Sequence, residues 1–120
     1  MKAIRYSQYG GPEVLQVVNL PEPEPKENEV LVRVRAVSIN YGDLLARKLD
    51  GGSAGEMYMP WLFWVMARLD FGWRAPKRGI LGSEFSGEVL QVGAQVTKFT
   101  AGDVVYGYLG QAMGGNAEQI

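Results

Sequence analysis

Short apolar runs, each broken by glycine or proline, set the pattern of this chain, and several alternate with polar residues at period two. The clearest is Val30 to Asn40, where Val30, Val32, Val34 and Ala36 fall on one face and Arg33 and Arg35 on the other. Successive side chains of a strand point to opposite sides, so this spacing predicts a strand whose valine face meets the core. Continuing the period puts Ser38 and Asn40 on the core-facing side. Lys2 to Tyr6 predicts a first strand, Tyr9-Gly10-Gly11-Pro12 a turn, and Val14 to Val18 a second strand. Glu84 to Val92 and Val104 to Tyr108 predict two more. Gly93 and the Ala101-Gly102-Asp103 turn punctuate them, since glycine accepts the positive φ of such turns. Pro21-Glu22-Pro23-Glu24-Pro25 is held extended, because each proline fixes its own φ and disfavours helix at the residue before it. It reads as a stiff connector, since too little chain precedes it to form a separate core.

Two segments depart from the strand period. Tyr41 to Leu49 predicts a short helix with Leu44 and Leu45 as its apolar side. Residues 50–79 hold all three tryptophans (Trp61, Trp64, Trp73) and three of the five methionines (Met57, Met59, Met66), a Trp/Met-rich helical insertion in a β-rich chain. Pro60 suits the first position of a helix running to about Asp70. That helix is apolar on most of its circumference and therefore requires cover. No internal repeat is present. The expected fold is mainly β, with one or two short helices and a barrel-like closure that hides the edges of many short strands.

Composition narrows the chemistry. A chain of 120 residues suits one domain and can build a core without covalent staples. A net charge of -1 supplies no electrostatic draw to nucleic acid or anionic lipid. The absence of both cysteine and histidine is more decisive. It removes disulfides, the strongest zinc and iron ligands, the catalytic triad, the Cys–His pair and the histidine general base. Met1 runs directly into a strand pattern, so no signal peptide is expected. The longest apolar stretch, Met59 to Leu69, is shorter than a bilayer and contains Arg68. A cytoplasmic location, away from membranes, is the expectation.

Gly87-Glu88-Val89-Leu90-Gln91-Val92-Gly93, followed by Val96, Phe99, Gly102-Asp103, Val105 and Gly107, resembles the hairpin of the medium-chain dehydrogenase/reductase superfamily. Pro12-Glu13-Val14-Leu15, Ala36 to Leu44 and Leu81-Gly82-Ser83-Glu84 agree with it in order, leaving residues 50–79 as the poor match. The resemblance implies a partly open GroES-like β-barrel, spanning residues 1–120, followed in the family by a Rossmann domain. Zinc-containing alcohol dehydrogenases of that superfamily carry a cysteine ligand at the strand-to-helix corner and a histidine ligand in a Gly-His-Glu segment. The matching positions here are Asn40 and Ser83, neither of which replaces a thiolate or imidazole. The chain is thus similar to the zinc-independent branch, of the quinone oxidoreductase and zeta-crystallin type. No G-x-G-x-x-G occurs, so the loop that cradles a dinucleotide pyrophosphate is missing. Residues 114–120 resemble the strand that leads toward the second domain, and the expectation is a truncated architecture.

The resemblance implies hydride transfer from NADPH, preferred over NADH, to a quinone or enone-like carbonyl compound, with no zinc. The 120-residue chain alone is expected to be inactive and to contain no cofactor-binding residues. Asn40 is the first catalytic candidate, because its amide can hydrogen-bond a substrate carbonyl or the cofactor at the corner where the family places the nicotinamide. Asn40-x-x-Asp43 is also a capping-box spacing, and one residue can serve both roles. Tyr41 is the second candidate, as a donor to an oxygen that gains charge, or else an aromatic packed on the rim. Asp43 and Ser83 stand near substrate or cofactor, with helix-start acid and small turn residue as their plainer readings. Glu84, Glu88 and Asp103 read as ordinary barrel and turn carboxylates. The aromatic segment 57–73 is a lid or wall of an apolar pocket, a packing surface on the barrel, or a homo-oligomer interface. The alternative to an enzyme is a non-enzymatic barrel that serves binding or self-assembly.

Overall fold

The strong alternation of residues 30–37 produces β3 (Val30–Val37), the first strand of a three-stranded antiparallel sheet. β4 (Glu84–Val92) pairs with it, and β5 (Val104–Tyr108) pairs with β4. A second, two-stranded antiparallel sheet joins β1 (Lys2–Arg5) to β2 (Gln16–Asn19), with Lys2 opposite Asn19 and Arg5 opposite Gln16. In this computed structural model the described residues are 1–49 and 60–120.

Residues 116–120 tie the two sheets together. Ile4 N–H donates to the Asn116 carbonyl at 2.8 Å and Glu118 N–H to the Lys2 carbonyl at 2.9 Å. On the other side Val34 N–H donates to Glu118, and Val32 and Ile120 exchange both backbone bonds at 2.8 and 3.0 Å. The segment therefore covers one edge of β1 and one of β3, groups that would otherwise be left unpaired. The result is a partly open, mainly β barrel with short helices.

β3 departs from strict alternation. Leu31 and Val32 are both buried, whereas Ala36, expected on the core face, is exposed. Between Val34 and Ala36 the extra residue, Arg35, lies on β3 and turns the side chains that follow over, whereas at the shift between Leu31 and Val32 the extra residue, Leu90, lies on β4. The strand also stops at Val37, three residues before Asn40, and Ser38 is exposed, its hydroxyl donating to the Glu84 carboxylate. β4 passes so close to β3 that a Cβ on Gly87 would lie 2.2 Å from the Arg33 carbonyl oxygen. The expected strand at 14–18 is likewise displaced. Val14 closes a 3-10 turn (Pro12–Val14) begun by Pro12 and points into the core, and the strand starts two residues later.

The core gathers Tyr6, Val14, Ala46, Leu81 and Met113, with Tyr9 and Phe71 packed against it. Ala46 comes from α1 (Tyr41–Arg47), two residues shorter than expected. This helix turns Asp43, Ala46 and Arg47 inward, while Leu44, expected on its apolar side, is 41% exposed. Hydrogen bonding sets that orientation. Arg47 donates to the Gly10 carbonyl at 3.2 Å, and Gly10 N–H donates back to the Arg47 carbonyl at 3.0 Å.

α2 (Trp61–Phe71) begins after Pro60, which takes the cap position with ψ 138° instead of the first helical one. Phe71 reaches the core, and the Arg68 guanidinium stacks 4.5 Å from the Tyr9 ring centroid and 5.6 Å from that of Trp64. Arg68 also donates to the Leu49 and Trp73 carbonyls. The cover expected for the rest of α2 is not supplied by the described residues: Trp61, Leu62, Phe63, Met66 and Leu69 are all exposed. Met57 and Met59 lie outside the described residues. No described helix is long and apolar enough to cross a membrane.

Candidate functional site

The corner between β3 and α1 is organised by one closed ring of hydrogen bonds. Asn40, in extended backbone, accepts Asp43 N–H on Oδ1 at 3.1 Å, and Asp43 Oδ2 accepts Asn40 N–H at 3.2 Å. Both halves of the capping box are thus formed, satisfying two donors that a helix start leaves over. The second oxygen of Asp43 accepts Gly82 N–H at 3.1 Å, which ties the corner to the segment before β4. Gly82 adopts φ +96°, and a Cβ there would sit 2.7 Å from the Asn116 nitrogen, so the position requires glycine. Ser83 follows, 4% exposed, and its Oγ accepts Asn40 Nδ2 at 2.7 Å.

This ring fixes how the Asn40 amide is turned. Because Oδ1 is held by Asp43 N–H, Nδ2 must point toward Ser83. One Nδ2 hydrogen is used there and a second remains for another acceptor. The Ser83 hydroxyl, having accepted from Asn40, still has its own hydrogen to donate. Two residues 43 positions apart in sequence therefore present a pair of neighbouring donors.

The pair opens on a cleft of about 230 Å³, whose other walls are mostly apolar. Leu45 comes from α1, Ala67 and Phe71 from α2, Tyr108 from the end of β5, and Met113 from the turn beyond it. Apolar walls with a few converging polar groups are the usual make-up of a ligand site. The volume falls below the roughly 300–1,000 Å³ of sites for drug-sized ligands, so the cleft suits a single ring or a carbonyl end. Larger concavities lie elsewhere among the described residues. A groove of about 320 Å³ follows the seam between the sheets past Ile4, Val17 and Val37, and a polar one of about 520 Å³ lies beside Pro23 and Gly93. Neither contains the Asn40–Ser83 pair.

Of the four sequence candidates, Asn40 and Ser83 meet in the cleft. Asp43 is 3% exposed, beneath the corner, and both its oxygens are occupied by backbone N–H groups, so it positions the corner. Tyr41 is 66% exposed and is not among the cleft residues. Sequence reasoning missed Phe71, Tyr108 and Met113. Phe71 belongs to the aromatic segment for which a pocket wall was one reading, whereas nothing in the local pattern marks Met113, whose φ of +55° is unusual for a side chain with a Cβ.

Among the described residues no carboxylate lines the cleft, and the perturbed titrations lie outside it. Tyr6 is pushed up to about 12 by burial, reinforced by Tyr9. Hydrogen bonds from Arg78, Arg35 and Lys26 hold Asp70, Glu88 and Glu29 below the usual carboxylate range, all on the surface.

Residues 26–119 match the alcohol dehydrogenase GroES-like domain. The quinone oxidoreductase of Pseudomonas aeruginosa is 36% identical over 107 residues, covering 87% of this chain and 26% of that protein. The fold superposes on the quinone oxidoreductase of Coxiella burnetii with a TM-score of 0.76 and 32% identity, covering 100% of this chain and 33% of that one. Against the Escherichia coli quinone oxidoreductase solved with NADPH the TM-score is 0.70 at 31% identity, covering 100% and 30%. The chain spans about a quarter to a third of the length of these relatives, which are oxidoreductases. By sequence and by fold, the chain belongs to the alcohol dehydrogenase GroES-like domain family.

Proposed function

We propose that this chain forms the substrate side of a zinc-independent, NADPH-dependent oxidoreductase that reduces quinones or enone-like carbonyl compounds. The observation that carries the reading is the Asn40–Ser83 pair, two donors 2.7 Å apart at the mouth of a mostly apolar cleft. When hydride reaches a quinone or enone, negative charge gathers on the carbonyl oxygen. Asn40 Nδ2–H and Ser83 Oγ–H are placed to hold that oxygen, and the Asp43 ring keeps them in position before the substrate arrives. Leu45, Phe71 and Met113 offer an apolar bed for the ring or alkene.

Neither implied group fits residues of this chain. An amide and a hydroxyl bonded to each other, in a sequence without cysteine or histidine, are a poor donor set for zinc. Among the described residues no group of three metal-binding side chains occurs. The seven-residue α1 is capped by its own Asn40 and follows no glycine-rich loop, so among the described residues it offers the phosphates of a dinucleotide no cradle. NADPH would supply the hydride from a nucleotide-binding domain. The relatives named quinone oxidoreductase, one of them solved with NADPH, support this choice of substrate and cofactor.

The test is NADPH oxidation with 1,4-benzoquinone, by a protein that joins this chain to a nucleotide-binding domain, before and after metal chelation. Turnover unchanged by the chelator is expected. Turnover that is lost on chelation and restored by zinc, or no turnover with quinones and enones at all, overturns the reading. The 120-residue chain alone should show no micromolar binding of NADPH by calorimetry.

A further inference from the structure

Helix α2 supplies one wall of the cleft through Ala67 and Phe71, yet none of its apolar side chains is fully buried. Its one buried residue is Arg68, which does not itself line the cleft. Burying a guanidinium is costly unless its donors and its charge are met, so the surroundings of Arg68 decide where the helix can sit.

Two carbonyls and three rings meet this side chain. Nη1 donates to the carbonyl of Leu49, two residues past α1, and Nη2 to that of Trp73, two residues past α2. The guanidinium lies 4.5 Å from the Tyr9 ring centroid, 5.6 Å from that of Trp64 and 6.0 Å from that of Trp73, within reach of each ring's attraction for a cation. The partners also hold one another. Trp64 and Trp73 meet edge to face at 5.9 Å, and Tyr9 Oη donates to the Gly72 carbonyl at 2.7 Å. Leu49 lines the cleft together with Ala67 and Phe71, so one side chain joins the end of α1 to the wall that α2 supplies.

Building on the proposed function, we infer that Arg68 is a positioning residue, acting through Leu49, Ala67 and Phe71 to set the apolar side of the cleft against the Asn40–Ser83 pair. The planar guanidinium bonds carbonyls of two segments in fixed directions while its faces take the rings, which neither an ammonium nor an apolar side chain does. The hydrogen-bonded ring that orients Asn40 and Ser83 runs through Asp43 and Gly82 and contains no residue of α2. Loss of Arg68 therefore weakens the hold on the substrate ring, common to ground state and transition state, and acts on KM more than on kcat.

Arg68→Ala leaves an empty space between the same rings and carbonyls. In a protein that joins this chain to a nucleotide-binding domain, KM for 1,4-benzoquinone should rise about tenfold, with kcat within about threefold of the parent. Guanidinium at about 10 mM, far below denaturing concentrations, should restore most of the lost affinity. Urea, which has the same planar shape without the charge, should not. In the 120-residue chain labelled at its methionine methyls, Arg68→Ala should shift the resonance of Met113, which lines the cleft, and guanidinium should return it toward the parent position. If the alanine variant fails to fold, Arg68→Met, which fills the space without donors or charge, should show the same rise in KM and a shifted Met113 resonance. The inference is overturned by a folded variant with the parent's KM, by a loss confined to kcat, by urea rescuing as well as guanidinium, or by a Met113 resonance that ignores the substitution. A parent without quinone turnover sinks the proposed function alone, and the Met113 resonance then decides whether Arg68 sets the wall.

Discussion

Replacing Tyr6 by phenylalanine should stabilise the protein, although Tyr6 lies at the centre of the core. Its ring is 1% exposed, packed among Val14, Ala46, Leu81 and Met113 and edge-on to Tyr9 at 6.4 Å between centroids. The hydroxyl has no hydrogen-bond partner among the described residues. A buried hydroxyl left unpaired costs roughly 1–3 kcal/mol, whereas phenylalanine keeps the ring and removes that cost. The backbone bond from Tyr6 N–H to the Gly79 carbonyl at 2.8 Å is untouched. The expected gain at pH 7 is about 1 kcal/mol, or roughly 3–6 °C in Tm for a domain of this size.

The pH dependence gives a second, independent signature of the same group. Burial raises the Tyr6 phenol from 10.0 to about 12. Between those values the folded state keeps a proton that the unfolded chain gives up, so unfolding releases it. The contribution is intact below pH 10 and is lost as pH rises through 12, about 2–3 kcal/mol in all. Phenylalanine has no such limb, so the advantage of Tyr6→Phe should grow from about 1 kcal/mol at pH 7 to about 2 kcal/mol at pH 11. Urea unfolding followed by tryptophan fluorescence at both pH values measures this, and other titrating groups cancel in the difference. A Tyr6→Phe variant destabilised by more than ~1 kcal/mol at pH 7, or an advantage that does not grow with pH, would show that the Tyr6 hydroxyl is not an unpaired buried group.

Asp43→Ala should cost about 2–4 kcal/mol in urea unfolding, because the buried N–H groups of Asn40 and Gly82 both lose their acceptor. In a catalytically complete protein its rate per folded molecule should fall as well, since Asp43 does not line the cleft but its carboxylate holds Asn40 and the Gly82–Ser83 segment in position. Gly87→Ala should cost about 2 kcal/mol or more, because the new Cβ meets the Arg33 carbonyl 2.2 Å away and the two backbones must part. A Tm within ~2 °C of the parent would show that β3 and β4 yield more readily than their pairing suggests.

The parts of the fold readable in the sequence are those set by local pattern. The expected strands at 30–40, 84–92 and 104–108 became β3, ending at Val37, β4 and β5, and Asn40-x-x-Asp43 became a capping box. What escaped depends on contacts between distant segments. Ala36 is turned away from the core because β3 carries an extra residue, Arg35, against β4, which a pattern confined to one strand does not record. The inward side of α1 is chosen by Arg47 bonding to Gly10, 37 residues away, against the apolar preference of Leu44. Residues 116–120 carry too little pattern to announce that they join β1 to β3. The candidate site was legible as separate residues, Asn40 and Ser83, through family resemblance. That they share a hydrogen bond, and that Gly82 and Asp43 hold them together, follows only from the three-dimensional ring.

In the proposed function the Asn40 amide nitrogen acts on substrate while its oxygen only caps α1, and Asn40→Ser separates the two. Serine is as good a cap as asparagine, so the bond from Asp43 N–H can be kept, but serine has no amide to reach Ser83 and the cleft. The measurement is kcat/KM for NADPH-dependent quinone reduction, alongside Tm, in a protein that joins this chain to a nucleotide-binding domain. The predicted result is a loss of about tenfold or more in kcat/KM, with Tm within ~2 °C of the parent. A rate per folded molecule equal to the parent's would contradict the claim and leave Asn40 a helix cap alone.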